Sequence, residues 1–468
     1  MLSKKKKFVK QEKKDFKDIF QRIIKRDFSG NTGQAIKNSS YQFSNNFVEK
    51  MGSFIFTVIL ARLLIPELFG HYHLILSTLA IFVALSEIGI NQTLITLVSS
   101  YLAKKNSKKA KAQTIYLFKA KILFTFLSVF VLLIMSRFLA ESFYQKPIFL
   151  GLIAGIFYII FLQIFSFLKA VLFSSNSFKE VVHNGIVFQL MRVIVIPLII
   201  IISLKYSFSN EMILFYIVLF LSLCYLVSSL LLWFFVLKKA PFIKEQKIPL
   251  NKKESKRTNN FLISTAAIAL SGVFFANIDK VMLGRFVSGE FIGIYAAAIS
   301  ILGAIFPFLG FATISLLPVF SRMKKQNKEK AVKKSSRLIF IASSLATIFL
   351  IFSSSIVVRI IYGPAYMSSA NLLRMLSIIL IPMALSGIYQ SYYLSNREPG
   401  KIARLLLLVT FLNIILNYFF ITILIPRGEL AAVYGAGIAT IISKFVYLAG
   451  LFITKKQLSL QTRKSQTT

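Results

Sequence analysis

Twelve apolar runs follow one another along the chain between residues 41 and 454, and short polar connectors separate them. Most runs have about 20 residues or more, the length that an α-helix needs to cross the hydrocarbon core of a bilayer. The pattern therefore predicts an all-α polytopic membrane protein with about twelve transmembrane helices. The predicted spans are 41–64, 71–101, 114–139, 147–173, 184–203, 211–237, 259–284, 291–320, 336–361, 370–394, 402–425 and 430–454.

The connectors alternate in charge. Connector 102–112 carries five Lys and Arg residues, 238–258 carries eight and 321–335 carries seven, whereas connectors on the other side, such as 204–211 and 426–429, carry at most one each. Basic connectors stay in the cytoplasm. The pattern predicts a multi-pass protein of the cytoplasmic membrane with both termini in the cytoplasm.

Two stretches of the chain, Leu60–Tyr72 and Leu283–Tyr295, match each other in register as LARLLIPELFGHY and LGRFVSGEFIGIY. The lysine runs Lys104–Lys111 and Lys328–Lys334 follow at the same offset. The matched residues are Arg62 and Arg285, Glu67 and Glu290, Gly70 and Gly293, and Tyr72 and Tyr295. Two similar halves of six spans have the same membrane orientation, so we expect two six-helix bundles related as a parallel repeat around a central cavity.

The chain then divides into five parts. The first 28 residues hold eleven Lys and Arg against four acids, interleaved with apolar residues, which predicts a basic amphipathic helix on the membrane surface. For the first ten residues a disordered basic tail is an equal alternative. The parts are a basic cytoplasmic N-terminal segment 1–40, an N-terminal bundle 41–237, a cytoplasmic linker 238–258, a C-terminal bundle 259–454 and a cytoplasmic tail 455–468.

Composition narrows the possible functions. The chain is 56% hydrophobic with a net charge of +39, and its basic residues cluster in the connectors, so the charge indicates topology and contact with membrane lipids rather than nucleic acid. One Cys and three His are too few for a metal centre, and no GxxxxGK[ST] phosphate loop is present. We expect no cofactor, no metal and, without a sizeable domain outside the membrane, no enzyme.

Ionisable side chains at membrane depth are costly, and each is therefore a candidate for the transport site. Arg192 lies about eight residues into its span, and with Lys119 and Lys121 it could form a basic lining that holds a diphosphate or another anionic head group. Asn413 and Asn417 share one helical face, where they either line a cavity that accommodates sugars or bond between helices. The candidate cavity residues are Arg192, Lys119, Lys121, Asp279, Lys280, Glu87, Asn413 and Asn417.

Four arginines near the outer ends of spans are candidates for a gate: Arg62, Arg285, Arg359 and Arg374. Arg62 and Arg285 occupy equivalent positions in the two halves. The simpler interpretation of this pair is a charge that complements the helix C-terminus and anchors it at the interface. For Arg359 and Arg374 we expect pairing with outer acids such as Glu67, Glu141 or Glu290.

The two repeated blocks carry a resemblance. NIDKVMLGRFVSGEFIGIYAAA resembles the seventh-to-eighth span region of prokaryotic polysaccharide flippases of the O-antigen and teichuronic acid type. ARLLIPELFGHYHLILSTLAIFVALSEIGI resembles their first-to-second span region. These proteins belong to the multidrug/oligosaccharidyl-lipid/polysaccharide superfamily. Outside these blocks the similarity lies in span number and loop plan, and Asp279 is the candidate acid inside a matched block.

The resemblance implies that undecaprenyl-diphosphate-linked oligosaccharide repeat units cross the membrane by alternating access, for the synthesis of a cell-surface polysaccharide. It also implies polysaccharide polymerase and chain-length proteins as partners. A cation-coupled multidrug or metabolite antiporter of the related toxin-extrusion branch is the alternative. That branch usually needs acidic cavity residues, whereas here basic groups outnumber the membrane acids, which favours an anionic cargo.

Overall fold

A computed structural model describes residues 30–464 except 247, 324 and 397, so most of the basic N-terminal segment lies outside the described residues. The described chain is helical throughout, without a β-strand. Its α-helices are α1 Gly30–Leu63, α2 Pro66–Glu87, α3 Ile90–Ala103, α4 Ser107–Arg137, α5 Phe149–Ser174, α6 Phe178–Lys205, α7 Asn210–Lys239, α8 Lys252–Phe286, α9 Gly289–Arg322, α10 Lys325–Ile361, α11 Ser368–Leu376, α12 Leu380–Ser395, α13 Pro399–Leu424 and α14 Glu429–Lys464.

Eleven helical segments in the described chain are long and apolar enough to cross a membrane, and they match predicted spans two to twelve. Helix α1 contains the first predicted span, but polar residues such as Glu49 and Lys50 keep it out of this set. The protein is thus a multi-pass membrane protein with eleven or twelve spans.

The second span is two helices rather than one. Between α2 and α3, Ile88 and Gly89 adopt positive φ angles of 35° and 70°, which breaks the helix. A Cβ atom on Gly89 would lie 2.9 Å from the carbonyl carbon of Thr265 in α8, so glycine permits this close approach. The kink therefore forms at the point where the two halves touch.

The seventh span begins earlier than its apolar pattern indicates. Helix α8 starts at Lys252, within the predicted linker, because Asn251 and Glu254 form a capping box that satisfies the first free N–H groups. The first turns of α8 are polar, and hydropathy alone places the start at residue 259. The first two turns of α8 therefore lie within the predicted linker 238–258.

Helices pack mainly within each half. In the first half α5 lies along α7 and α1 along α6, and in the second α13 lies along α14 and α9 along α12. The halves meet where α2 packs against α8 and α9 and where α1 packs against α9. These four helices carry the two repeated blocks, so the repeats form the interface between the halves.

The third span of each half faces outward. Helix α4 exposes the large apolar side chains Phe126 and Ile134, and α10 exposes Phe349 and Phe352. Large exposed apolar surfaces of this kind are the surfaces that contact lipid in a membrane protein. Arg192, Asp279, Asn413 and Asn417, by contrast, are buried inside the protein.

Candidate functional site

A cavity of about 460 Å³ lies inside the first half, between α1, α3, α5, α6 and α7. Its lining contains three basic residues and one acidic residue, a formal surplus of two positive charges (3 − 1). The ionisable lining residues other than tyrosine are Lys50, Lys169, Arg192 and Glu49. This is an environment that favours an anionic ligand.

Arg192 lies on α6 and is buried in the wall of this cavity. Its Nη2 atom donates to the Ser53 hydroxyl at 3.0 Å and to Gln189 Oε1 at 2.5 Å. Its guanidinium plane packs over Phe56, with Cζ 4.4 Å from the ring centroid. The Nε–H group has no hydrogen-bond partner among the described residues. The side chain is thus held in place by neutral groups, without a carboxylate partner among the described residues.

Lys169 and Glu49 form an ion pair across the cavity, between α5 and α1. Gln189 Nε2 donates to the Glu49 backbone carbonyl at 3.3 Å, which connects the ion pair to the Arg192 cluster. Since Glu49 is already paired with Lys169, the charges of Arg192 and Lys50 are left to attract an anion from solution.

The other basic candidates of the first half lie elsewhere. Lys119 is exposed on the outside of α4, and Lys121, two residues later, points inward and ion-pairs with Glu87 of α2. Glu87 also accepts from the Asn91 backbone N–H and side chain, both at 2.9 Å. Neither lysine lines the cavity with Arg192. The structure therefore does not bring together the basic lining expected from the sequence.

A second polar cluster is buried in the other half, around Asp279 of α8. Its carboxylate accepts hydrogen bonds from the Tyr295 hydroxyl at 2.7 Å, from Asn417 Nδ2 at 2.9 Å and from the Thr440 hydroxyl at 2.7 Å. Four helices contribute to these contacts. The carboxylate is thus surrounded by neutral donors, and no direct ion pair to it is present among the described residues.

The two predicted asparagines belong to this cluster. Asn413 Nδ2 donates to the Ser443 hydroxyl at 3.1 Å, and the Oδ1 atoms of Asn413 and Asn417 are buried without a partner among the described residues. Asn417 Nδ2 also donates to the Asn413 backbone carbonyl at 3.0 Å, which connects both asparagines to Asp279. The described residues contain no group of three or more His, Cys, Asp or Glu that could hold a metal ion.

Two lysines accompany the Asp279 cluster. Lys280 is buried on α8 and donates to the Ala276 carbonyl of its own helix at 3.3 Å. Lys444 of α14 lies over the Phe275 ring, with its Nζ atom 3.6 Å from the centroid. Adjacent residues of a helix point in different directions, and Asp279 and Lys280 accordingly find different partners.

The four gate candidates behave in two ways. Arg62 and Arg285 each donate to backbone carbonyls of the opposite half. Arg374 donates to the Ile351 carbonyl and to Asn371 within its own half, and Arg359 is exposed. Arg374 thus binds a carbonyl and an amide oxygen in place of the acids expected for it, whereas Arg62 and Arg285 bind helix-end carbonyls of the opposite half.

Sequence reasoning missed the neutral members of both clusters. Ser53 and Gln189 position Arg192, while Tyr295 and Thr440 bind Asp279, and each lies in an apolar span without a motif. A signal was present for one of them, since Tyr295 is the last matched position of the second repeated block.

Comparisons with known proteins agree on the architecture. The family model described as "Polysaccharide biosynthesis protein" matches residues 35–324, which is more than half of the chain. A search of curated proteins found no significant match. A multidrug resistance MATE family transporter of the MOP superfamily, in an inward-facing conformation, is similar at a TM-score of 0.66 and 12% identity, over 89% of this chain and 96% of that one.

Two further solved structures share the fold. The lipid II flippase MurJ, in an inward closed conformation, is similar at a TM-score of 0.66 and 18% identity, over 88% of this chain and 87% of that one. A MATE protein in the straight conformation has a TM-score of 0.56 at 13% identity, over 93% and 98% of the two chains. The all-helical, membrane-spanning fold is therefore the one seen in these transporters.

Proposed function

Since this chain belongs to the polysaccharide biosynthesis protein family, we propose that it carries undecaprenyl-diphosphate-linked oligosaccharide repeat units from the inner to the outer leaflet of the cytoplasmic membrane. The observation that carries the proposal is the basic cavity around Arg192, whose lining has a surplus of positive charge. Arginine suits diphosphate because its planar fork matches phosphate oxygens.

Both termini lie in the cytoplasm in this proposal, because the basic connectors 102–112, 238–258 and 321–335 all lie on one side. In this topology the lining residues Lys50 and Lys169 lie in the cytoplasmic halves of their spans, the side on which a lipid-linked precursor made in the cytoplasm arrives. The sugar and the diphosphate cross between two six-helix bundles while the lipid tail stays in the bilayer. The activity is transport, and polymerase and chain-length proteins take up the product.

The test begins with deletion of the gene and extraction of the lipid-linked intermediates. We expect loss of surface polymer and accumulation of undecaprenyl-linked repeat units in the inner leaflet. Normal surface glycan in the deletion strain would refute the proposed function.

Complementation then tests the site. Arg192→Ala removes the charge-assisted contacts, and we expect roughly 10- to 100-fold weaker substrate binding, with loss of complementation at normal protein levels. Lys119→Ala is the matched control, because this lysine is equally basic but exposed outside the cavity, and it should complement fully. Equal complementation by both variants would show that Arg192 is not part of the substrate site, but it would not refute the proposed function.

A cation-coupled antiporter is the second candidate, and the Asp279 cluster is the observation that favours it. A carboxylate that is buried among neutral hydrogen-bond donors offers an acidic group to a coupling cation. Unchanged surface glycan in the deletion strain, together with increased sensitivity to cationic drugs, would establish this candidate in place of the first.

A further inference from the structure

The two repeated blocks face each other at the ends of their helices, where the backbones touch directly. A Cβ atom on Gly70 of α2 would lie 1.9 Å from the Gly289 carbonyl oxygen, and one on Gly293 of α9 would lie 2.1 Å from the Pro66 carbonyl oxygen. Gly70 and Gly293 are matched positions of the repeat, so the contact is reciprocal, as in an interface with two-fold symmetry.

Arg62 extends this contact to the third span of the opposite half. Its Nε atom donates to the Ile361 carbonyl at 2.8 Å, and its Nη2 atom donates to the Ile360 carbonyl. Both carbonyls belong to the last turn of α10, where helix geometry leaves the backbone oxygens without partners and with partial negative charge. A guanidinium from the first half thereby caps a helix of the second half.

Arg285, the repeat equivalent of Arg62, makes the corresponding contact in the other direction. Its Nη1 atom donates to the carbonyls of Phe143 and Ser142 at 2.9 and 3.3 Å. These residues lie in the π-helical segment Phe138–Tyr144 that extends α4, the third span of the first half. Each half thus closes on the end of the other's third span through the same residue type.

Beside each of these contacts, a second hydrogen bond runs in the opposite direction, from the half that accepts the arginine to the half that carries it. The Tyr366 hydroxyl of the second half donates to the Leu64 carbonyl beside Arg62 at 3.2 Å. Lys146 Nζ of the first half donates to the Gly284 carbonyl beside Arg285 at 2.8 Å. We call Arg62 with Tyr366 the first latch, and Arg285 with Lys146 the second latch.

We propose that the two latches together form the outer gate, and that both must open before the substrate leaves toward the outer leaflet. The proposal rests on the proposed alternating-access transport. Both arginines are exposed, and their acceptors are neutral carbonyls, so water can replace each bond when the halves separate. Opening therefore separates neither arginine from a charged partner.

The latches are tested by the rate at which an impermeant maleimide reaches a buried cysteine near the contact between Gly70 and Gly293, which we call the seam. The chain's one cysteine, Cys224, is first replaced by serine. Ala297→Cys then places a thiol four residues after Gly293, on the same face of α9, at a position that is fully buried in the closed form. Labelling from the outside reports opening of the gate without any substrate.

We expect the double variant Arg62→Ala/Arg285→Ala to label roughly tenfold faster or more than its parent, and each single variant to label at an intermediate rate. If the alanine variant does not fold, Arg62→Lys/Arg285→Lys, which retains the charge without the forked donor, should still label faster than the parent. Arg374→Ala is the control, since Arg374 also binds a helix carbonyl but within one half.

Parental labelling rates in the double variants would overturn the proposal, and so would an equal increase in Arg374→Ala. The assay does not depend on the identity of the cargo. Faster labelling in a protein whose deletion leaves surface glycan normal would keep the gate and reject the proposed substrate, so the two failures are distinguishable.

Discussion

Gly293→Ala is the smallest change that should shift the protein between its conformations. The added Cβ atom would lie 2.1 Å from the Pro66 carbonyl oxygen, 3.0 Å from the Pro66 carbonyl carbon and 3.2 Å from the Gly70 nitrogen. All three atoms are backbone of the opposite half, so no side chain can rotate away. Relief requires that the two halves move apart at the gate.

The size of this movement follows from the structure. Ordinary contact begins at 3.4 Å, so the seam must widen by 1.3 Å (3.4 − 2.1) along the line to the Pro66 oxygen. Overpacking of this kind costs about 1–3 kcal/mol. Because that cost falls on the closed state alone, the open-to-closed ratio should rise roughly 5- to 150-fold.

The assay is maleimide labelling of Ala297→Cys from the outside, with and without Gly293→Ala. Gly303→Ala is the matched control, because Gly303 lies on the same helix and an added Cβ atom there has nothing within 4 Å. That control should label at the parental rate. If Gly293→Ala also labels at the parental rate in a folded protein, the closed seam is not the barrier that we describe.

Three further predictions concern stability, measured as thermal unfolding of the purified protein. Asp279→Asn should destabilise the protein by about 1–3 kcal/mol, because the amide has only one oxygen atom to accept hydrogen bonds from the three donors that now bind the carboxylate. An unchanged midpoint of thermal unfolding would contradict this. Lys121→Ala should cost about 3 kcal/mol by leaving Glu87 unpaired, whereas Lys119→Ala should be neutral. Burial lowers the pKa of Lys146, so the folded protein binds its proton less tightly than the unfolded chain does, and stability should rise as the pH increases through that lowered pKa. Lys146→Gln should flatten this part of the pH profile, and an identical slope in wild type and variant would show that Lys146 is not the group responsible.

Hydropathy identified most of the helices because a segment that crosses a bilayer needs a long apolar run. The spans, their number and the repeat follow from residues that are individually visible in the sequence. The start of α8 was placed too late because a capping box acts through backbone N–H groups in a polar segment that hydropathy does not register. The break at Gly89 was missed because a positive φ angle leaves no trace in an apolar run.

The candidate site residues were likewise identified from the sequence only in part. The sequence identified Arg192, Asp279, Asn413 and Asn417 as polar residues in apolar spans, and the structure buries all four. The sequence could not tell that Lys121 is buried and Lys119 exposed, since the direction of each side chain depends on how α4 is rotated about its axis relative to its neighbours.

The latches were also beyond sequence reasoning. The acceptors of Arg62 and Arg285 are backbone carbonyls, which every residue possesses, so no pattern of side chains marks them. The sequence therefore indicated that these two arginines complement a helix C-terminus, but not that the helix end belongs to the opposite half.

The central claim is that the protein moves a lipid-linked anionic glycan between leaflets. It is tested most directly with the purified protein in vesicles that hold undecaprenyl-diphosphate-linked oligosaccharide in both leaflets. The measurement is the fraction of glycan that an impermeant oxidant reaches. With the wild-type protein we predict that the inner pool becomes accessible as well, and that Arg192→Ala leaves it protected. An inner pool that stays protected with the wild-type protein would contradict the account.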